Sequence, residues 1–479
     1  MMSCCEERPG KNMKKSWAPM IHLNVGFVVG ALFMLLVYLV VSQQAAISGL
    51  SVATTVAQRI SDKQLIKGPS ESFVASDVQR ITNKHLVRGS GESDNGKVVL
   101  NTKGYYSETC EVDGDVRVNG KALSVSLVPT GRSSSERREW KIQPYSRKIL
   151  PGIRPVTVTQ LPDGAAAPAC TARYAMPAVL FSIGGLTGNF WHDFTDVLVP
   201  LFIASRRYGG EVQLLITNME SWWPAAYKPI LRRLSKYDAV DLDADEHVRC
   251  FPRVTVGVHM HRDLGIIPEW VPGRRRFAMP DFTRFLRDIY ALPRGAVPPP
   301  ASQPPGRRPR LLLIRRTHSR RFVNEEEILR AAEAAGFEAA PIELRRDVGV
   351  EVNAREVNAH DVLLGVHGAG LTNMLFLPPG GVLIQVVPYG NMEHIARLEY
   401  GEPAKGMGLK YLDYSVTAEE STLLEMLGRD HLAIKDPDAV HRSGWNNMTH
   451  FYLNKQSVRV DVARFAPTLA QAFDHLRQQ

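Results

Sequence analysis

The chain has 479 residues, 44% of them hydrophobic and 22% charged, an ordinary globular composition that excludes disorder of the whole and leaves room for two domains. A formal net charge of +9 points to an anionic partner. The basic residues are scattered, however, and no dense Lys/Arg run interleaved with aromatics marks a groove, so nucleic acid is not expected as a partner.

Residues 1–22 form a short tail carrying Arg8, Lys11, Lys14 and Lys15, and residues 23–41, Leu23 to Val41, form an apolar run broken by Asn24 and glycines. At about 1.5 Å per residue such a run spans the ~30 Å hydrocarbon core of a bilayer. The next basic residue is Arg59, so the positive-inside rule predicts an uncleaved signal anchor with a cytosolic N-terminus and a lumenal remainder. Residues 42–100 are rich in Ser, Gln, Thr, Lys and Gly and read as a flexible stem. Cys110, Cys170 and Cys250 then lie in an oxidising compartment, where an odd count permits at most one bridge. The expected pair is Cys110 with Cys170, leaving Cys250 as a buried thiol. Asn447, in Asn447-Met448-Thr449, is an acceptor for glycosylation in the same compartment.

A first domain is expected over 101–292. Short strand-like stretches from Cys110 to Pro144 precede the apolar strand "AVLFSIGG" (178–185), a helix near 189–208, the strand "EVQLLITN" (211–218), a helix near 224–237, a strand over 248–258 and a helix near 281–292. The alternation implies a parallel sheet covered on both faces. The proline-rich stretch 293–309, "PRGAVPPPASQPPGRRP", reads as a linker. A second domain over 310–479 repeats the pattern: the strand "RLLLIRR", a helix capped by Asn324 and closing at Gly336, the strands "EAAPIEL", "DVLLGV" and "VLIQVVP", a short helix starting near Gly368, and a final helix near 460–477 expected to cross back onto the first domain. The fold class is α/β, two doubly wound αβα domains facing a cleft, preceded by one transmembrane helix and the stem. Open parallel sheets bind ligands at their strand carboxyl ends, so function is expected there.

Gly365-Val366-His367-Gly368-Ala369-Gly370-Leu371-Thr372-Asn373 runs from a strand end through small residues into a helix start. Glycines let a phosphate approach the backbone, and the N–H groups of a first helical turn hold an anion. Arg315 and Arg316, followed by Thr317, His318, Arg320 and Arg321, emerge at the same predicted sheet edge, where guanidinium groups suit a diphosphate without a metal. Glu343 and "PYGNMEH" (388–394) end further strands. In the first domain, "NFWHDFTD" placed on a helix at about 100° per residue puts Phe190, Phe194, Val197, Leu198 and Leu201 on one face and His192, Asp193 and Asp196 on the other, off the core. The candidate catalytic base is His192 or a neighbouring carboxylate, Asp193 or Asp196; His192 and Asp196 are four apart, so the carboxylate can orient the imidazole, and His259 and His261 are reserves. Asp241, Asp243, Asp245 and Glu246 contain D-x-D twice, a pattern some transferases use for a cation, but read here as a solvated turn. Trp222, Trp223 and Tyr227 offer stacking surfaces, at least one of them in the core.

"FSIGGLTGNFWHDFTD", "RRTHSRRF" and "LLGVHGAGLTNMLFLPPGGVLIQVVPYG" resemble plant glycosyltransferase family 61, over about residues 105–479. The nearest likeness is to the grass enzymes that add arabinofuranosyl or xylosyl units to xylan. The resemblance implies a GT-B arrangement, a UDP-sugar donor (UDP-xylose or UDP-arabinofuranose), an inverting transfer to a xylan acceptor, and a type II position in the Golgi membrane. The basic loops themselves lead to the expectation that no metal cofactor is required, and homo- or hetero-oligomerisation is left open. An N-glycan core β-1,2-xylosyltransferase or an O-GlcNAc-type glycoprotein transferase of the same fold is the alternative. So is a non-catalytic lumenal glycan-binding or scaffold subunit.

Overall fold

The computed structural model describes residues 96–478, apart from 103, 130–135, 163–164, 300–303, 305 and 346. The expected tail, the anchor 23–41 and the stem up to residue 95 lie outside the described residues, among which no helix is long and apolar enough to cross a membrane.

The fold is mixed α/β with two sheets. The first contains β1 (Lys97–Asn101), β2 (Thr109–Asn119), β3 (Ser124–Val128), β4 (Arg138–Ile142), β5 (Val156–Gln160), β6 (Ala172–Arg173), β7 (Ala178–Ser182), β8 (Gln213–Thr217), β9 (Val240–Asp241) and β10 (Val248–Val256). Its order is β4-β5-β3-β2-β10-β7-β8-β9, with β1 on β2 and β6 on β10. β10, β7, β8 and β9 run parallel, as the alternation predicts. The sheet as a whole is not a doubly wound parallel one, because β2 pairs antiparallel with β10, from Val248↔Asn119 to Val256↔Cys110, and fuses the expected small β element to the main sheet. The cause lies in β2 itself. Cys110, Val112, Val116 and Val118 alternate inward and need a covered partner strand. β1 begins inside the expected stem.

The same register corrects the disulfide. Cys110 sits opposite Val256, six residues along β10 from Cys250, whereas the short β6 sets Arg173 beside Cys250. Cys170 therefore bonds to Cys250, and Cys110 is the buried thiol, pushed up to about 12 by burial and by Glu111.

Between β7 and β8 lies a continuous helical run, α1, made of Phe190–His192, a π-helical segment Asp193–Leu198 and Val199–Ser205. Asn189 caps it by accepting from Trp191 N. Helices α2 (Lys228–Leu234) and α3 (Met279–Ile289) follow. The second sheet, β12-β11-β13-β14-β15, comprises β11 (Arg310–Ile314), β12 (Glu338–Ile342), β13 (Val362–Val366), β14 (Val382–Val387) and β15 (Lys410–Ser415), all parallel. The central strands "VLLGV" and "VLIQVV" are buried throughout, the mark of a parallel sheet covered on both faces. Helices α4 (Glu325–Ala334) and α5 (Val350–Asn358) connect strands, and α6 (Val462–Arg477) ends the fold.

Asn324 stands at the start of α4 but its side chain does not cap the helix: it exchanges hydrogen bonds with Val460, tying α4 to the strand-like segment before α6. α6 does not cross to the first half. Its apolar stripe Phe465, Leu469, Ala472 and Leu476 packs with β15 and α4 instead, the Phe465 ring meeting Tyr414 at a centroid distance of 5.0 Å. The proline-rich stretch docks on the second half through Arg294 N to Asn358 Oδ1 (3.0 Å) and Val297 N to Pro379 O (2.9 Å). The two halves share one apolar core, in which Phe194 of α1 and Tyr290 after α3 both meet Phe376 of the second half, at ring-centroid distances of 6.3 and 6.1 Å.

Candidate active site

The strand order of the second sheet reverses between β11 and β13, and at such a point the loops leaving the carboxyl ends diverge and open a crevice. Those are the two loops singled out in the sequence. Arg320 Nη1 donates to His367 O at 2.8 Å, bonding one loop to the other. Gly368 has φ +141, a backbone conformation that L side chains rarely adopt, and a Cβ there would stand 2.6 Å from Arg320 Nη1 and 3.1 Å from Arg316 Nη1, so a side chain would be strained and would displace the guanidinium groups. The turn continues as a 3₁₀ helix, Ala369–Phe376.

Arg316 and Arg320 are the electrostatic anomaly of the molecule. Among the described residues no carboxylate oxygen lies within 4.0 Å of either. Arg316 donates only to Ser319 O, and Arg320 Nε is buried without a partner. Burial depresses the basicity of both, that of Arg320 to about 10 with Arg316 adding to the fall. Arg320 also holds a positive φ of 54°, strained for a side chain of its size. Two desolvated cations in contact with glycine backbone are costly unless an anion joins them. Arg315 differs: its guanidinium is half exposed and bound to Glu325.

A cavity of about 530 Å³ opens beside this pair. The second half contributes Arg315, Arg316 and His318 after β11, Glu343 after β12, Asn353 of α5, and Ala369, Gly370 and Asn373 of the turn. The first half closes it with Phe190, Asp193, Trp222 and Tyr227. Trp222 is 46% exposed at this mouth, while Trp223 is fully buried. His367, Gly368, Leu371 and Thr372 do not line the cavity. Leu371 is core, and Thr372 lies beside the Tyr400 hydroxyl.

His192, Asp196 and their neighbours form a second group. The π-helical turn and the segment before β5 bury Asp196 completely, contrary to a face turned off the core. Gly185 admits the Tyr145 ring, whose hydroxyl donates to Asp196 Oδ2 at 2.6 Å. Arg147 Nε donates to both carboxylate oxygens at 2.9 Å, and His192 Nδ1 meets Oδ2 at 2.9 Å. Burial would raise Asp196, but the bonds from His192 and Arg147 outweigh it and hold the carboxyl below its ordinary range. An ionised Asp196 fixes the proton of His192 on Nδ1 and leaves Nε2 as a proton acceptor. Asp193 is equally buried, and its carboxylate accepts from Gly188 N, Trp223 Nε1 and Tyr227 OH, so it holds the loop and the aromatic pair together.

Arg147 reaches a second acid, Asp263, at 3.4 Å, and burial raises the Asp263 carboxyl. From the other half Glu399 joins this group, its Oε2 3.6 Å from His367 Nε2. His367 is buried and held neutral, its basicity pushed down to about 3 by burial and by Arg320 and Arg316. Its Nδ1 pairs with Gln385 Nε2 at 2.8 Å, and Gln385 Oε1 accepts from Tyr411 OH at 2.9 Å. Nδ1 is thus the acceptor, and Nε2 carries the hydrogen toward Glu399. Sequence reasoning missed Arg147, Asp263 and Glu399, and gave Arg320 no role of its own.

The other candidates lie elsewhere. His259 and His261 follow β10 rather than lying on it and pack against Trp270. Asp243 and Asp245 are paired with Arg154 and Arg249, and Asp241 accepts from the backbone of its own turn. Tyr389 of "PYGNMEH" is bound to Ile434 and Gln456. Asn447 is exposed on the short helix Trp445–Met448.

Comparison with known proteins agrees with this architecture. The glycosyltransferase 61 family model matches residues 190–384. A β-1,2-xylosyltransferase of Oryza sativa subsp. japonica is 44% identical over 389 residues, 78% of this chain and 83% of its own. An α-1,3-arabinosyltransferase of the same plant is 42% identical over 386 residues, 79% of this chain and 66% of its own. A xylan glycosyltransferase of Arabidopsis thaliana is 32% identical over 397 residues, 77% of this chain and 78% of its own. With identity at this level across most of both chains, and the anion-suited loops and His–Asp pair inside or beside the matched segment, this chain belongs to glycosyltransferase family 61.

Proposed function

We propose that this enzyme transfers a pentose, xylosyl or arabinofuranosyl, from a UDP-sugar to xylan with inversion at the anomeric carbon. The observation that carries the reading is the buried Arg316–Arg320 pair at the switch point, which among the described residues has no carboxylate within 4.0 Å and adjoins a nucleotide-sized cavity. The uridine occupies that cavity, its diphosphate rests on the two guanidinium groups and the turn at Gly368, and the sugar extends toward the first half in a GT-B-like arrangement. The names of the relatives support pentosyl transfer and a xylan acceptor.

In the transfer, the acceptor hydroxyl oxygen forms a bond to the anomeric carbon as the bond from that carbon to the diphosphate oxygen breaks. His192 Nε2 takes the hydroxyl proton while Asp196 stabilises the imidazolium. The negative charge gained by the leaving UDP falls on Arg316 and Arg320, so a metal is not required for this step. The signal anchor at 23–41 holds the domain in the Golgi lumen, where Asn447 is glycosylated.

The test is a donor screen on the purified full-length chain in detergent. Xylan oligosaccharides and N-glycan acceptors are each offered UDP-xylose, UDP-arabinofuranose and UDP-GlcNAc, with and without a chelator. Pentosylated xylan formed in the presence of chelator is expected. Product on the N-glycan alone, or no UDP binding by calorimetry, refutes the assignment.

A further inference from the structure

We propose that Glu399 receives the donor sugar, its carboxylate accepting a hydrogen bond from a hydroxyl of the pentose and fixing the anomeric carbon between the diphosphate and His192. This rests on the nucleotide site proposed above.

Glu399 lies on the crossover between β14 and β15, within the π-helical segment Arg397–Gly401. It belongs to the second half yet adjoins the polar group of the first. The groups line up across the cleft: Arg316 lines the cavity, Arg320 lies beside Arg316 and bonds to the His367 carbonyl, the His367 ring faces Glu399, and the charges of Arg147 and Asp263, which adjoin His192 and Asp196, act on Glu399 from the first half. A sugar joined to a diphosphate on Arg316 and Arg320 and exposed to His192 must pass this carboxyl group.

The charge environment points the same way. The groups facing Glu399 are His367 and Arg320 of the second half, Arg147 and Asp263 of the first, and Tyr400 next to it in the chain. Among the described residues its carboxylate forms an ion pair with neither arginine and makes no hydrogen bond within 3.5 Å; the neutral His367 Nε2 stands 3.6 Å from it. Burial, reinforced by Asp263, pushes its carboxyl up to about 7. A carboxylate so desolvated and so poorly supplied with donors favours neutral hydroxyl donors, which satisfy it without discharging the arginines.

The experiment compares wild type with Glu399→Gln and Glu399→Ala in the full-length chain, measuring UDP binding by calorimetry and transfer kinetics with natural UDP-pentose and with analogues lacking one sugar hydroxyl. Both variants are expected to bind UDP within about threefold of wild type. For Glu399→Gln, kcat/KM with the natural donor is expected to fall about 30-fold, the scale of one hydrogen bond to a charged group. One deoxy analogue, poor with wild type, is expected to lose no further activity with either variant, because the hydroxyl and the carboxylate report the same bond. Equal losses on natural and deoxy donors overturn the proposal, as does unchanged kcat/KM. Loss of UDP binding in both variants overturns it too, by assigning Glu399 to the fold of the diphosphate site. If wild type itself binds no UDP, the nucleotide reading fails and the proposal with it.

Discussion

Replacing Arg320 with glycine is expected to weaken UDP binding while leaving the unliganded protein as stable as wild type or more so. The side chain is held at φ 54°, a strain of about 1 kcal/mol that glycine does not feel. Burial lowers its basicity from the ordinary guanidinium range to about 10 in the fold, which at about 1.4 kcal/mol per pH unit corresponds to roughly 3 kcal/mol. The sign follows from the direction. A base depressed in the fold is charged in both states at pH 7, so the folded state bears the cost there, and sheds it only as pH rises through about 10. Against these gains stands the bond to the His367 carbonyl, worth about 2 kcal/mol. The net is about 2 kcal/mol in favour of the variant, a rise of a few degrees in melting temperature. For UDP, loss of charge-assisted bonds worth about 1.5–3 kcal/mol weakens binding by about 10- to 100-fold. Differential scanning calorimetry with and without UDP reads both effects. A variant that melts more than 5 °C lower without ligand, in the same assay where UDP still raises its melting point as in wild type, refutes the claim that this arginine is held against its own stability for an anion.

Asp196→Asn removes the negative charge shared by Arg147, His192 and Tyr145 and turns one of its two acceptor oxygens into a donor, and is expected to cost about 3–5 kcal/mol at pH 7 and to abolish transfer while UDP binding persists. Because the folded carboxyl is depressed, its contribution is whole above the ordinary carboxylate range and is lost as pH falls through the folded value, so the melting curves of variant and wild type should converge in acid. Alkylation under denaturing, non-reducing conditions should label Cys110, and label Cys170 and Cys250 only after reduction; Cys170→Ser is expected to cost about 4 kcal/mol, since the bridge closes a separation of 80 residues. Trp222→Ala should leave the melting temperature unchanged and raise KM, whereas Trp223→Ala, which empties a core position and leaves Asp193 a donor short, should cost about 3–5 kcal/mol; equal effects in the two variants would falsify the division of the pair between cavity and core.

The second half was legible because its signals are local. β13 and β14 are short apolar runs bounded by glycine and proline turns, and the glycines after β13 announce a strand-to-helix turn by themselves. Arg316 could be named for the same reason, lying two residues beyond the end of β11. The failures share a cause in long-range pairing. The alternation of β2 gave its buried face but not its partner, and the partner decided both the mixed sheet and the disulfide. Helical periodicity at about 100° per residue put Asp193 and Asp196 outside, yet the segment is π-helical and is covered by Tyr145, Arg147, Trp223 and Tyr227, from positions no local pattern connects. Arg315 and Arg316 are adjacent and alike in sequence, and Glu325, ten residues on, separates their roles by binding the first. Glu399 carries no motif, and its place follows only from the β14–β15 crossover folding back over His367.

The buried arginines of the cleft divide in a way that packing alone does not require. Arg147 is neutralised by Asp196 and Asp263, while among the described residues Arg316 and Arg320 have no carboxylate within 4.0 Å, although Glu399 stands near enough for its charge to act on Arg320. What keeps them unpaired is His367. Its ring is fixed by Gln385 and Tyr411, it is too deeply buried to take a proton, and it presents a neutral N–H between the arginine and the carboxylate. Were Glu399 to pair with Arg320, the anion site would lose one of its two charges and the sugar site its acceptor together. A neutral histidine in the glycine turn therefore stands against both groups, its carbonyl on Arg320 and its ring toward Glu399, and leaves the arginine for a diphosphate and the carboxyl group for the sugar it carries.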